Sequence, residues 1–256
     1  MKKTLALFAI VSVVCVSAGG DMPDKETENH GARELFALAE EYFQKGDDAE
    51  AVTFYQKAAD LGHADAIYKL GGHYYSGSGV RRDFQKAYDL YSKAAELGNA
   101  DALYQLGHIH QYARSSTNGI GIPFDINTAI AFYTDAAELG HPLAQDALAA
   151  LYFKGGDVEG DLEQDYAQAL KWYRVRAEAG DSFGQYMVGE CYYCGHGVAQ
   201  DFMAAFEWYT LSAEQDPHSP ALYKLYLMYF KGEGVPQDYE KANEWYKKML
   251  SDQLLI

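Results

Sequence analysis

A single helical phrase recurs six times along this chain, and that repetition decides what it can fold into. Its first half reads Ala-x-x-x-Leu-Gly-x-x-Tyr, as at Ala66/Leu70/Gly71/Tyr74, Ala102/Leu106/Gly107/His110, Ala144/Leu148/Ala149/Tyr152, Gly184/Val188/Gly189/Tyr192 and Ala221/Leu225/Tyr226/Tyr229, after a worn first copy at Glu34/Leu38/Ala39/Tyr42. Successive copies start 32 to 42 residues apart, a period that belongs to stacked supersecondary units. The second half places Ala, Tyr and a small or apolar residue four apart: Ala51/Tyr55/Ala59, Ala87/Tyr91/Ala95, Ala129/Tyr133/Ala137, Ala169/Tyr173/Ala177, Ala205/Tyr209/Ala213 and Ala242/Tyr246/Leu250. A spacing of four marks one face of a helix and excludes a strand.

Glycine punctuates both halves. Gly62, Gly98, Gly140 and Gly180 stand where a helix ends in the left-handed conformation, and Asp216-Pro217 stops the fifth copy instead. Between the halves runs Gly-x-Gly-Val-x-x-Asp, at Gly77/Gly79/Val80/Asp83, Gly195/Gly197/Val198/Asp201 and Gly232/Gly234/Val235/Asp238. The aspartate is placed to cap the first backbone N–H groups of the next helix. Each unit therefore reads helix, glycine turn, helix, glycine stop. A lone pair cannot bury its apolar face, so the pairs must stack.

These linked elements, with Trp172-Tyr173, Trp208-Tyr209 and Trp245-Tyr246, resemble the Sel-one-like repeat (SLR) family, a branch of the tetratricopeptide superfamily. The resemblance spans Ala32 to Leu250. It implies an all-α, right-handed α-α superhelical solenoid of six helix-turn-helix repeats, with the first helices lining the concave side. It also implies adaptor or scaffold roles rather than chemistry. The expected organisation is a signal peptide at 1–18, a flexible leader at 19–31 and a repeat domain at 32–256, with repeats at 32–63, 64–99, 100–141, 142–181, 182–218 and 219–256. The third repeat carries extra chain around Arg114 to Asn118 and the fourth around Gly156 to Glu163.

The signal peptide rests on Lys2 and Lys3, an apolar run from Leu5 to Val16, and the small residues of Val16-Ser17-Ala18 before the cleavage point. That run is shorter than the roughly 20 residues of a membrane span. Lipid attachment at Cys15 is the alternative, against which Val14 is bulky for the preceding position. Export to the periplasm or beyond follows. The composition, with 21 basic and 37 acidic residues and a net charge of −16, argues against nucleic acid and anionic membranes, which call for Lys/Arg clusters. It is compatible with simple solubility or with a basic partner, and does not choose between them.

Signatures of chemistry are missing from the sequence: there is no phosphate loop, no His-Glu-x-x-His and no Gly-x-Ser-x-Gly. No cofactor is expected, and the chain is read as a non-enzymatic monomer. Some cysteine-rich secreted members of the resembled family have been linked to penicillin binding or hydrolysis, so a cell-envelope enzyme of that β-lactamase-like kind is the alternative; the Ser-x-x-Lys signature of such enzymes is absent. Cys191 and Cys194 form the one Cys-x-x-Cys. It is open to reading as a disulfide formed after export, as two free thiols, or as a redox or metal site with His196. Helical positions three apart bring α-carbons within disulfide range. The alternating acids Asp157, Glu159, Asp161, Glu163 and Asp165 read as a solvated loop, since the glycine spacing does not fit a calcium loop.

The candidate functional residues form a second stripe on each first helix, two residues before and five after the anchor Leu. The earlier position holds Phe36, Tyr68, Tyr104, Asp146, Tyr186 and Tyr223; the later holds Phe43, Tyr75, Gln111, Phe153, Tyr193 and Phe230. Seven residues separate the two, which puts them on one face. Ten aromatics in twelve slots point to a groove for an extended or helical segment of a protein or peptide partner, because tyrosine gives large contact area at small entropic cost.

Overall fold

The computed structural model describes residues 25–112, 122–155 and 162–251; the signal segment, the extra chain from Arg114 to Asn118 and the acids Asp157, Glu159 and Asp161 lie outside them. Among the described residues there are twelve helices and no strand: α1 (Lys25–Gln44), α2 (Asp48–Asp60), α3 (Ala64–Ser76), α4 (Phe84–Glu96), α5 (Ala100–Tyr112), α6 (Ile126–Glu138), α7 (Pro142–Lys154), α8 (Tyr166–Glu178), α9 (Ser182–Cys194), α10 (Phe202–Gln215), α11 (Ala221–Lys231) and α12 (Tyr239–Ser251). This is the all-α, solenoid-type repeat architecture that the periodicity predicts. No helix of the described residues is long and apolar enough to cross a membrane.

Two features go beyond the sequence reading. The chain forms two compact units, Met1–Phe124 and Asp125–Ile256, a division the repeat pattern does not announce; it falls in the lengthened connection of the third repeat. The first unit holds α1 to α5 and the second α6 to α12, and within each unit every helix packs on the next in chain order. In addition, α1 begins at Lys25, inside the stretch read as a flexible leader. Its first turns are polar and carry no apolar period, so nothing in the hydrophobic pattern marks them as helical.

The caps are chemical and recur. Asp83, Asp125, Asp165 and Asp201 each accept from a backbone N–H three residues on, at 3.0 to 3.1 Å, and Asp238 accepts from Glu240 and Lys241 at 3.0 Å. The start of the first helices is capped as well, by the Nδ1 of His63 and His141, by Asn99, and by Asp181. His63 and His141, scattered in sequence, thus share one slot with an asparagine and an aspartate.

Alanine, leucine and tyrosine fill the seam. In the first unit Ala39, Ala51, Tyr55, Ala66, Ile67 and Leu70 are solvent-inaccessible; in the second, Ala205, Tyr209, Ala221, Leu225 and Met228 are. The glycine after the anchor Leu gives the ring its seat: a Cβ on Gly71 would lie 2.8 Å from Tyr91 and one on Gly189 2.6 Å from Tyr209. The second turn glycine does the same between repeats. Gly79, Gly197 and Gly234 (φ near +70°) would each drive a Cβ to within 2.3–2.4 Å of a backbone oxygen at the start of the preceding pair's second helix, at Asp48, Tyr166 and Phe202. No other residue permits that approach.

This contact generates a graded expectation. Gly62 is also left-handed (φ +80°) but has nothing near its missing Cβ, so Gly62→Ala is expected to cost only the conformational penalty, about 1–2 kcal/mol. Gly197→Ala adds a backbone collision and is expected to cost about 3–5 kcal/mol. Urea unfolding of the two variants checks this, and equal losses would show that the turn does not lock the stack.

Candidate functional site

The twelve stripe positions divide the first helices of both units into a dry side and a half-wet side. None of the ten aromatics is fully buried: Phe36, Tyr68, Tyr104, Phe153, Tyr186 and Tyr193 are half-buried, and Phe43, Tyr75, Tyr223 and Phe230 are exposed by 40–48%. The anchor residues Leu70, Leu148, Val188 and Leu225 on the opposite side are wholly inaccessible. At 100° per residue the stripe lies opposite the anchors, so the rings do not make the main core.

Each ring is nonetheless held. The earlier rings lean on the buried tyrosine of the second helix, Phe36 on Tyr55, Tyr68 on Tyr91 and Tyr186 on Tyr209, with centroids 5.8–5.9 Å apart. The later rings meet an aromatic at the first position of the second helix edge-on: Tyr75 with Phe84, Phe153 with Tyr166, Tyr193 with Phe202 and Phe230 with Tyr239, at 5.1–5.4 Å and 66–71°. Such pairs are worth about 0.5–1.5 kcal/mol beyond area. Their signal was available in sequence as an aromatic directly after the capping aspartate in four copies, and was missed.

The non-aromatic slot at Asp146 has its own use. Its carboxylate receives Arg176 Nε at 2.9 Å while Arg176 Nη2 binds Asp181 at 2.9 Å. Burial raises the Asp146 pKa against the pull of Arg176. The stripe also runs one helical turn further than the sequence reading took it: five residues before the anchor stand Leu143 and Phe183, exposed by 56% and 54%. In the first unit the same positions hold Asp65 and Asp101, both exposed. Extending the three-four spacing by one step would have found them.

Midway along the stripe, two residues after the anchor, a carboxylate recurs in each unit. Glu40 accepts from the hydroxyl of buried Tyr55 and lies 3.7 Å from Lys69 of the next first helix. Glu190 accepts from buried Tyr209 and is bound by Lys224 at 2.7 Å. Three helices are thereby joined at one carboxylate. In the first unit the stripe opens into a cleft of about 310 Å³ between α1 and α3, walled by Phe43, Tyr68, Gly72 and His73 with Lys69 and Ser76 at its edge.

Cys191 and Cys194 are free thiols, one buried and one exposed, within the regular last turn of α9. Burial pushes the Cys191 thiol up to about 12 and raises Cys194 too, the reverse of what a redox thiolate needs. His196 stacks on Tyr166 at 4.2 Å rather than joining the thiols. His110 packs in the seam, with Nε2 3.2 Å from the Tyr88 hydroxyl, and Glu163 is exposed while Asp165 caps α8.

Compared with known proteins, the chain matches the Sel1 repeat model six times, at residues 35–63, 64–99, 100–141, 142–181, 182–217 and 219–251. It is 36% identical over 176 residues to the DAP3-binding cell death enhancer 1 of Rattus norvegicus, covering 69% of this chain and 33% of that protein. It is 31% identical over 113 residues to the ERAD-associated E3 ubiquitin-protein ligase component HRD3A of Arabidopsis thaliana, covering 41% and 16%. The chain thus spans a third or less of these relatives. Among solved structures it is similar to a protective antigen of uropathogenic Escherichia coli strains with an SLR fold (TM-score 0.73, 28% identity, 89% of this chain and 48% of that one). A Sel1 repeat protein from Oxalobacter formigenes is also similar (TM-score 0.66, 29% identity, 85% and 82%).

Buried tyrosines make a pH prediction. Burial, aided by Glu40 and Glu190, holds the Tyr55 and Tyr209 hydroxyls far above the ordinary 10.0, and pushes Tyr186 and Tyr193 up to about 12. Above about pH 10 the unfolded chain releases protons that the native state keeps. Stability is therefore expected to be whole below pH 10 and to fall as pH rises toward 12. Urea midpoints at rising pH, with tyrosinate absorbance followed in parallel, check this; tyrosines that ionise without loss of stability would refute it.

Proposed function

The chain belongs to the Sel1 repeat family, and from that premise we propose that it is an exported, non-enzymatic scaffold whose aromatic first-helix stripe binds a segment of a protein or peptide partner. Sel1 repeat proteins are generally protein-interaction adaptors. Two relatives carry the same sense in their names, one as DAP3-binding and one as a component of a ubiquitin-ligase assembly. The observation that carries the reading is the placement of ten aromatic rings, half in water and half held, at one register in both units. Rings fixed on one side offer contact area with little entropy left to lose. In tetratricopeptide-like geometry this face lines the concave groove.

Export is supported by the basic start, the apolar run and the small residues ending at Ala18. The mature protein is a monomer of the periplasm or the medium in this reading. Terminal mass spectrometry of native material is expected to find Gly19 first; a chain beginning at Met1 or acylated at Cys15 would refute it.

Partner binding is tested by pull-down from the native envelope with the mature chain and with Tyr68→Ala/Tyr75→Ala/Tyr104→Ala. The triple variant is expected to stay helical and cooperative and to lose the partner. Since Tyr68 also leans on Tyr91, a modest fall in melting temperature is expected. Unfolding of the variant would show that the rings are core, and retention of the partner would show that it binds elsewhere.

A further inference from the structure

Resting on that reading, we infer that the cleft of the first unit takes a basic segment of the partner, seated by one bulky apolar side chain. The cleft exists because of Gly72. Two residues after the anchor, the other copies carry Glu40, His108, Ala150, Glu190 and Leu227, whereas Gly72 leaves open space, with only the Tyr91 hydroxyl near the missing Cβ at 3.9 Å. The next residue, His73, stands where other copies place Ile109, Leu151, Cys191 and Met228. Its Nδ1 is fixed to the Ser78 carbonyl at 2.9 Å, and its ring meets Phe43 edge-on at 5.6 Å. The walls are thus immobilised rings. A volume of about 310 Å³ stands at the small end of ligand pockets, sized for one side chain and its flanking backbone.

Charge selects the segment. Lys69 at the edge is answered by Glu40. Asp65 lies one turn before Tyr68 on the same face, exposed, and accepts the neutral amide of Asn99 at 2.7 Å. Burial raises the pKa of the Tyr68 hydroxyl, and the charge of Asp101 adds to that rise. The second unit puts Leu143, Phe183 and Pro220 at the positions of these aspartates. The cleft is walled by rings, with Lys69 and two serines at its edge, and the exposed carboxylate of Asp65 lies one turn from its Tyr68 wall; this arrangement fits a large apolar side chain flanked by Lys or Arg, by ion pairing and cation–π contact, on a chain whose net charge is −16.

The test uses the full mature chain and three fluorescein-labelled glycine-serine peptides: one Phe flanked by four Lys, one Phe flanked by four Glu, and the Lys peptide with Phe→Ala. Anisotropy titration is expected to rank Lys-Phe first, by about tenfold over either control, with binding weakened by salt. Gly72→Leu, which installs the residue of the sixth copy, should make Lys-Phe and Lys-Ala equal. Asp65→Asn/Asp101→Asn, an exposed change, should remove most of the salt dependence. Preference for Glu-Phe, no binding of any peptide up to about 1 mM, or a Phe preference surviving in folded Gly72→Leu would overturn the inference; so would self-association abolished by Gly72→Leu, which would make a second copy the occupant. If the native partner is lost by the tyrosine triple variant yet kept by Gly72→Leu and Asp65→Asn/Asp101→Asn, the stripe still binds and only the basic-segment inference fails.

Discussion

The close approach of a turn glycine to the backbone of the preceding repeat is the contact on which the rest of this protein depends. Gly79, Gly197 and Gly234 each set a turn against the opening of an earlier second helix, at a separation that leaves no room for a side chain. That approach fixes the distance between successive pairs. With the distance fixed, Ala66 and Ala221 become inaccessible without large side chains, and Tyr91 and Tyr209 fall onto the helix surface beside them, against Gly71 and Gly189. Repeat proteins are held by nearest-neighbour terms, and here the term is steric before it is hydrophobic.

A buried tyrosine brings a polar end that must be answered, since an unpaired hydroxyl in the interior is costly. The solution in each unit is a carboxylate at the middle of the stripe, Glu40 for Tyr55 and Glu190 for Tyr209, itself held by a lysine of the next first helix. Core chemistry therefore reaches the surface. The same tyrosines that fill the seam also support Phe36 and Tyr186 from behind, so the stripe inherits its rigidity from the packing.

Pairing of helices, their caps and their stops were legible in the sequence because each is local: spacing of four, Asp before a helix, Gly after one. The stripe was legible too, since Phe36 to Tyr223 and Phe43 to Phe230 repeat in register with the anchors. What was not legible is either polar or vectorial. The opening turns of α1 have no apolar period to betray them. His63 and His141 cap helices through a ring nitrogen, a role that residue type alone does not announce. Cys191 is buried and Cys194 exposed, a matter of direction rather than spacing. The division into two units follows from tertiary contacts, on which the six matching phrases are silent.

Each unit carries the stripe with its own chemistry, and in the proposed reading that difference sets what the surface prefers. Rings alone discriminate poorly, because every apolar segment is attracted to them; discrimination requires groups that punish the wrong occupant. In the second unit Leu143 and Phe183 extend the aromatic face without adding charge. In the first unit Asp65 and Asp101 occupy the equivalent turn, and Gly72 replaces a side chain by a cleft. An acidic segment would meet like charge there, and a segment without a bulky side chain would leave the cleft unfilled. In the proposed reading the repeat supplies the frame, and substitutions at two stripe positions select what it admits.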